Sequence, residues 1–149
     1  MQSLQKSIQS VIDSGRIGSP VFLRSMLQVP IETTGIEHAT NILITLANLW
    51  IPSSPESVQA RRSQDNVQLT TMIQYLGGQT AVLSANRVVN PTASIDLHLI
   101  GNKGVIYHET PPSRHHNQEF AINITKATDQ SKLIQQSVDS GQWIKWEEV

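Results

Sequence analysis

The sequence predicts one α+β domain over residues 1–149, built on a mostly antiparallel open sheet of about six strands with helices on one face. Three observations carry this expectation. A chain of 149 residues is of ordinary single-domain size, long enough to bury a core and short for two domains. Helical periodicity is confined to stretches near the two ends, while Glu56 to Glu109 reads as consecutive strands. The turns joining several of those strands are too short for a parallel crossover, which needs about a dozen residues.

Taken in order, Leu4, Ile8, Val11 and Ile12 fall at helical spacing. Asp13-Ser14-Gly15 ends that helix, with glycine suited to a left-handed position past its C-terminus. After Arg16-Ile17-Gly18-Ser19-Pro20, the β-forming run Val21 to Val29 reads as a strand closed by Pro30. Thr33 and Thr34 then offer N-cap hydroxyls to a second helix. Its apolar stripe is Ile36, Ala39, Ile42, Leu43, Leu46 and Leu49, reaching Trp50, and it should be the best-buried helix. Ile51-Pro52-Ser53-Ser54-Pro55 is a loop by its prolines and serines.

Strands are expected at Ser57 to Ser63, Val67 to Leu76, Thr80 to Val88, Ser94 to Ile100 and Val105 to His108. Gln64-Asp65-Asn66, Leu76-Gly77-Gly78-Gln79 and Gly101-Asn102-Lys103-Gly104 are the joints. Val67, Leu69, Thr71, Ile73 and Tyr75 share one face, as do Ile95, Leu97 and Leu99, so one side of the sheet is apolar. The alternate positions Gln68, Thr70, Met72 and Gln74 are too weakly polar for a purely solvated face. Thr110 to Gln118 reads as an exposed loop, Glu119 to Ile124 as a strand, Asp129 to Ser140 as a helix and Trp143 to Trp146 as a short last strand. The two tryptophans fall on opposite faces of that strand if it is regular, so at least one packs in the core. Core for both is the plainer expectation, and a single exposed indole would point to a partner.

Composition narrows the function classes. A net charge of -1 gives no general attraction for nucleic acid or anionic lipid, and no run has the eighteen or so apolar residues of a membrane span. Neither is expected as a partner, and the cytoplasm is the expected location. The absence of cysteine removes thiolate nucleophiles and Cys-ligated zinc. His115-His116, with His108 nearby, lacks an accompanying acidic ligand pattern, so no metal site is expected. Asp96 and His98 alternate on one strand face and are neighbours there; Arg61-Arg62 is too short for a nucleic-acid patch.

Several words of the sequence, in order, resemble one family. Val11-Ile12-Asp13-Ser14-Gly15-Arg16-Ile17-Gly18-Ser19-Pro20-Val21 resembles the helix, Gly-x-Ile-Gly-x-Pro, strand opening of the dihydrodipicolinate-reductase-like C-terminal domain of Gfo/Idh/MocA oxidoreductases. Gly35 to Trp50 resembles that family's histidine-bearing helix, and Gly77-Gly78-Gln79-Thr80-Ala81 the hairpin after its long strand. Ile100-Gly101-Asn102-Lys103-Gly104-Val105-Ile106 resembles its Ile-x-Gly-x-x-Gly-x-Ile strand pair, and Ser137 to Trp146 its closing helix and strand.

The resemblance implies an NAD(P)-dependent sugar oxidoreductase whose Rossmann domain would be a separate subunit, because neither a Gly-x-Gly-x-x-Gly turn nor the family's Glu-Lys-Pro word occurs here. It also implies His38 as the catalytic position, with Thr34 and Asn41 as substrate-binding positions. Family enzymes commonly carry aspartates where Thr34 and Asn41 stand, so the imidazole lacks carboxylates to orient it. Two readings of different class follow. One is a module, non-catalytic alone and needing no cofactor, that acts in homo-oligomerisation through its open sheet face or in sugar-like small-molecule binding. The other is the substrate-binding half of a split or truncated enzyme.

Overall fold

The computed structural model describes residues 3–32, 34–89, 92–110 and 129–146. Helix α1 (Leu4–Asp13) leads into strand β1 (Pro20–Pro30) and helix α2 (Ile36–Trp50). Strands β2 (Pro55–Arg62), β3 (Gln68–Tyr75), β4 (Thr80–Val88), β5 (Ser94–Gly101) and β6 (Val105–Glu109) follow, then α3 (Ser131–Ser140) and β7 (Ile144–Lys145). The strands form one sheet in the order β6-β5-β1-β4-β3-β2-β7. It is the mostly antiparallel α+β sheet expected, with seven strands and one parallel pair, β1 with β4, among the described residues.

That pair is the topological feature local reasoning did not supply. The hairpins β2–β3, β3–β4 and β5–β6 are antiparallel neighbours, as their short turns require. Strands β4 and β5 are consecutive but do not pair, because β1 lies between them, parallel to one and antiparallel to the other. Bordered on both sides, β1 buries Leu23, Leu27 and Val29.

Burial alternates strictly and gives the sheet its two faces. Leu69, Thr71, Ile73 and Tyr75 of β3, Ala81, Leu83 and Ala85 of β4, and Ile95, Leu97 and Leu99 of β5 are all buried. Helix α2 packs over β1, β3 and β4 on this side, and α3 over β2. Tyr75 is enclosed here with its hydroxyl donating to Asn48 Oδ1 at 2.7 Å. Burial pushes its phenol pKa above the ordinary value, so it stays protonated.

Two details of α2 correct the expectation. Its N-cap is Gly35, with no side-chain capping bond, so Thr34 does not cap the helix; Thr33 lies outside the described residues. The inward stripe is also rotated: Thr40, Asn41, Ile44 and Ala47 are buried, while Leu49 is exposed at 49%. An α-helix presents about a 100° arc to the core, and the stripe inferred from the largest side chains was centred to one side of it. Helix α3 matches its expected span closely, ending on Gly141 in the left-handed conformation with φ of 68°. Trp146 is 9% exposed and Trp143 38%, so one indole is buried and one is outward. The strand expected at Glu119 to Ile124, like His115-His116, lies outside the described residues.

Two of the glycine-bearing words meet in space. The turn Arg16-Ile17-Gly18-Ser19 docks on the β5–β6 turn Gly101-Asn102-Lys103-Gly104. Lys103 N donates to Ile17 O at 2.9 Å, Asn102 N to Ser19 O at 3.1 Å, and Ser19 N to Asn102 Oδ1 at 2.9 Å. A Cβ on Gly101 would stand 2.0 Å from the Ile17 carbonyl oxygen. Gly18, at φ of +73°, has the same distance to Asn102 Oδ1. The glycines are therefore set by close backbone approach rather than by hairpin geometry alone.

Candidate functional site

Two regions concern function: the start of α2, where the resemblance places a site, and the sheet face away from the helices.

At the start of α2, His38 is exposed and forms no hydrogen bond or ion pair among the described residues. Glu37 beside it accepts from Arg62 Nη1 at 3.1 Å. Arg62 also donates to Asn66 Oδ1 and to Gln135 Oε1, so one guanidinium joins α2, the β2–β3 turn and α3. Thr34 is half-buried, its amide donating to Pro30 O at 3.2 Å.

Asn41 is turned toward α3. Its Oδ1 accepts from Gln130 N at 3.1 Å, and its Nδ2 donates to Asp129 Oδ1 and Ser131 Oγ, each at 3.4 Å. Asp129 Oδ1 in turn accepts from Ser131 N at 3.0 Å, so these side chains satisfy amides at the α3 N-terminus. Bonds from the Ser131 hydroxyl and amide hold the Asp129 carboxyl below its ordinary pKa. All of Asn41's polar atoms are engaged in joining α2 to α3, while His38 faces solvent. The cavity beside Asn41 holds only about 10 Å³, too little for a sugar.

Across the sheet face away from the helices, strand pairing sets side chains in lateral rows. Tyr107, His98, Arg24, Val82, Met72 and Gln59 form one row from β6 to β2. Glu109, Asp96, Met26, Ser84, Thr70 and Arg61 form the next. Asp96 and His98 share this face, as their alternation implied. The His98 and Tyr107 rings lie 4.6 Å apart, and Tyr107 Oη donates to Glu109 Oε2 at 3.0 Å. That bond, with the charge of Glu109 and Asp96, raises the Tyr107 pKa.

Arg61 and Arg62, adjacent in sequence, part to opposite faces of β2. Only Arg61 belongs to the open one. Arg24, Tyr107 and Glu109 were not singled out from sequence; the signal was their strand parity, usable only once β1 and β6 were known to flank β5. A concavity of about 820 Å³ follows the β2 flank and is lined by Gln59, Arg61, Gln68, Thr70, Met72 and Val138 among others. His38, Thr34 and Asn41 do not line it. Among the described residues, no three His, Asp or Glu side chains gather as a metal ion would require, and no helix is long and apolar enough to cross a membrane.

No protein-family model and no curated protein matches the sequence. Solved structures do match in fold, at low identity. Scyllo-inositol dehydrogenase from Lactobacillus casei, with bound NAD(H) and scyllo-inositol, has a TM-score of 0.72 at 13% identity, covering 95% of this chain and 61% of that one. A putative myo-inositol dehydrogenase from Sinorhizobium meliloti 1021 gives 0.71 at 16%, covering 95% and 61%. A myo-inositol dehydrogenase from Corynebacterium glutamicum gives 0.69 at 15%, covering 97% and 62%. The chain thus spans between 38% and 62% of these and the apo Lactobacillus casei chain, mostly their C-terminal part. It has the fold of that part, which is the fold the resemblance implied.

Proposed function

We propose that this chain is an inositol-dehydrogenase-type α+β module that acts by self-association through its open sheet face and transfers no hydride alone. The open face carries the reading. Phe22, Met26, Met72 and Val82 are only half-buried at its middle, with Thr70, Ser84 and Asn86 between them. Arg24 of β1 is the one charge set among them, and an antiparallel face meant for water alone would carry more. A standard interface buries roughly 800 Å² per partner, which a six-strand face of this kind can supply.

Sedimentation equilibrium across a range of concentrations is expected to give a dimer, and Met72→Arg is expected to dissociate it by setting a charge in the centre of the contact. A monomer at high micromolar concentration would overturn the proposal. Nicotinamide cofactor would enter only where a Rossmann domain is supplied, since neither of that domain's characteristic words is present in these residues. Isothermal titration with NAD(H) and NADP(H) is accordingly expected to show no saturable micromolar binding by this chain alone. The cytoplasm suits the reading, given a chain without cysteine.

A second reading is favoured by one observation: a structure holding both NAD(H) and scyllo-inositol shares the fold over 95% of this chain. In that reading the chain is the half that receives a sugar-like substrate, and His38, open to solvent on α2, would face the missing half.

A further inference from the structure

The concavity of about 820 Å³ along the β2 flank lies within the size range of small-ligand sites, roughly 300–1,000 Å³. Its floor is a set of cross-strand neighbours. Gln59 stands opposite Met72 and Arg61 opposite Thr70, and one step further on Ser63 N donates to Gln68 O at 2.9 Å. The end of α3 closes it at the sheet margin and is tied to β2 by side chains. Gln59 Nε2 donates to Gly141 O at 3.2 Å, while Ser137 Oγ accepts from Ala60 N at 2.9 Å and donates to Gln142 O at 2.7 Å. Strand β7 pairs only with Ser57 and Val58, so the buried Ser137 hydroxyl stands where the next ladder bond would run, and the concavity opens beside it.

The lining holds two arginines and no carboxylate. Arg62 is matched by Glu37 at 3.1 Å. The acids that flank the lining in sequence are engaged too: Asp65 accepts from Ser63 Oγ and Asp139 from Gln135 Nε2, each at 2.7 Å. Arg61 is exposed, with no side-chain hydrogen bond or ion pair among the described residues. One unmatched guanidinium suits one carboxylate, which it takes through two parallel N–H···O bonds, whereas a dianionic phosphate would be left half-neutralised. The groups around it are acceptors. Gln59 and Gln68 commit their amide nitrogens to Gly141 O and Ser84 Oγ, leaving each Oε1 without a bond among the described residues. Gln59 is two residues from Arg61 along β2 and Gln68 is its diagonal neighbour on β3, each about 7 Å away. An amide oxygen only accepts, so the matching ligand donates from hydroxyls on either side of its carboxylate end. Half-buried Met72 and Val138 offer apolar surface to its carbon chain. The geometry points to a binding site for a small hydroxylated monocarboxylate, its carboxylate on Arg61 and its hydroxyls on Gln59 and Gln68. The site is separate from the start of α2 and does not rest on self-association.

The test is a titration of the whole chain with threonate, a short trihydroxy carboxylate, followed by backbone amide chemical shifts in NMR. Saturable shifts are expected at Gln59, Arg61, Gln68 and Thr70, with a Kd on the order of 1 mM for so small a ligand. Threitol, which lacks the charge, and butyrate, which lacks the hydroxyls, should each bind at least about tenfold more weakly. Arg61→Gln should weaken threonate binding by at least about tenfold as well, with an unchanged thermal unfolding curve, because the exposed guanidinium has no partner in the protein to lose. No saturation by about 50 mM threonate, or saturable shifts only at other residues, would overturn the site. Butyrate or inorganic phosphate binding as tightly as threonate would overturn the ligand class. Undiminished binding of threitol, or of threonate by Arg61→Gln, would overturn the part given to the guanidinium. Sedimentation decides self-association separately, so failure here leaves that reading standing.

Discussion

Replacing Gly101 with alanine is expected to destabilise the fold by about 1–3 kcal/mol, the cost of forcing extra volume into a packed site. The added Cβ would lie 2.0 Å from the Ile17 carbonyl oxygen, a backbone atom that cannot swing aside as a side chain could. Relief requires the α1–β1 turn to draw away from the β5–β6 turn. That would break the bonds Lys103 and Asn102 donate to Ile17 and Ser19. Urea unfolding of the variant checks this, with the midpoint in a thermal scan falling by roughly 2–4 °C per kcal/mol for a domain of this size. Gly15→Ala is the control: its φ of +79° costs about 1 kcal/mol for a residue with a Cβ, yet nothing lies within 4 Å of that position. A Gly101→Ala loss no larger than the control would show that the two turns are loosely apposed.

Asn41→Ala is expected to cost about 1–3 kcal/mol, the penalty for leaving a buried donor without its acceptor. Gln130, whose amide loses that acceptor, is itself buried, and among the described residues no side-chain capping bond serves the start of α3 otherwise than through Asp129 and Asn41. Asp129 adds a pH signature. Its carboxyl is held below the ordinary value, so its contribution is present above the unfolded-state pKa and is lost as pH falls through the folded-state pKa. Removing the Asn41 amide takes away one bond to that carboxylate, so the variant should lose less stability on acidification than wild type. Urea unfolding at neutral pH and near pH 3 measures both effects; an unchanged midpoint at neutral pH would free Asn41 for a ligand-binding role.

The same residue explains where sequence reasoning stopped. Asn41 stands where family enzymes commonly carry an aspartate, and that much is legible along the chain. A carboxylate there would face Asp129, only 3.4 Å from the Asn41 amide nitrogen, and that relation exists only in the folded chain. Strand positions and faces were legible because alternation is local, as Leu69, Ile73, Leu97 and Leu99 illustrate. The place of β1 was not, because no periodicity says which strand will lie beside it. The resemblance supplied the words Ile17-Gly18 and Gly101-Asn102, but their mutual docking, and so the reason for the glycines, is non-local. Arg61 and Arg62 show the same limit: strand parity sends them to opposite faces, but only the positions of α2 and α3 show that Arg62 is enclosed by partners and Arg61 is left to the open face.

The position of β1 also bears on how the chain reaches its native state. The hairpins β2–β3–β4 and β5–β6 can each close from neighbouring residues, but in the sheet they are joined only through β1. The bond from Ser25 Oγ to the Asp96 carbonyl spans 71 positions, so the entropy of a long loop is lost before those contacts are gained. Such pairings place a fold among the slower two-state domains, with folding times in the millisecond to second range. Until β1 is seated, β4 and β5 each present an unpaired edge, the form of intermediate most exposed to association with the wrong partner.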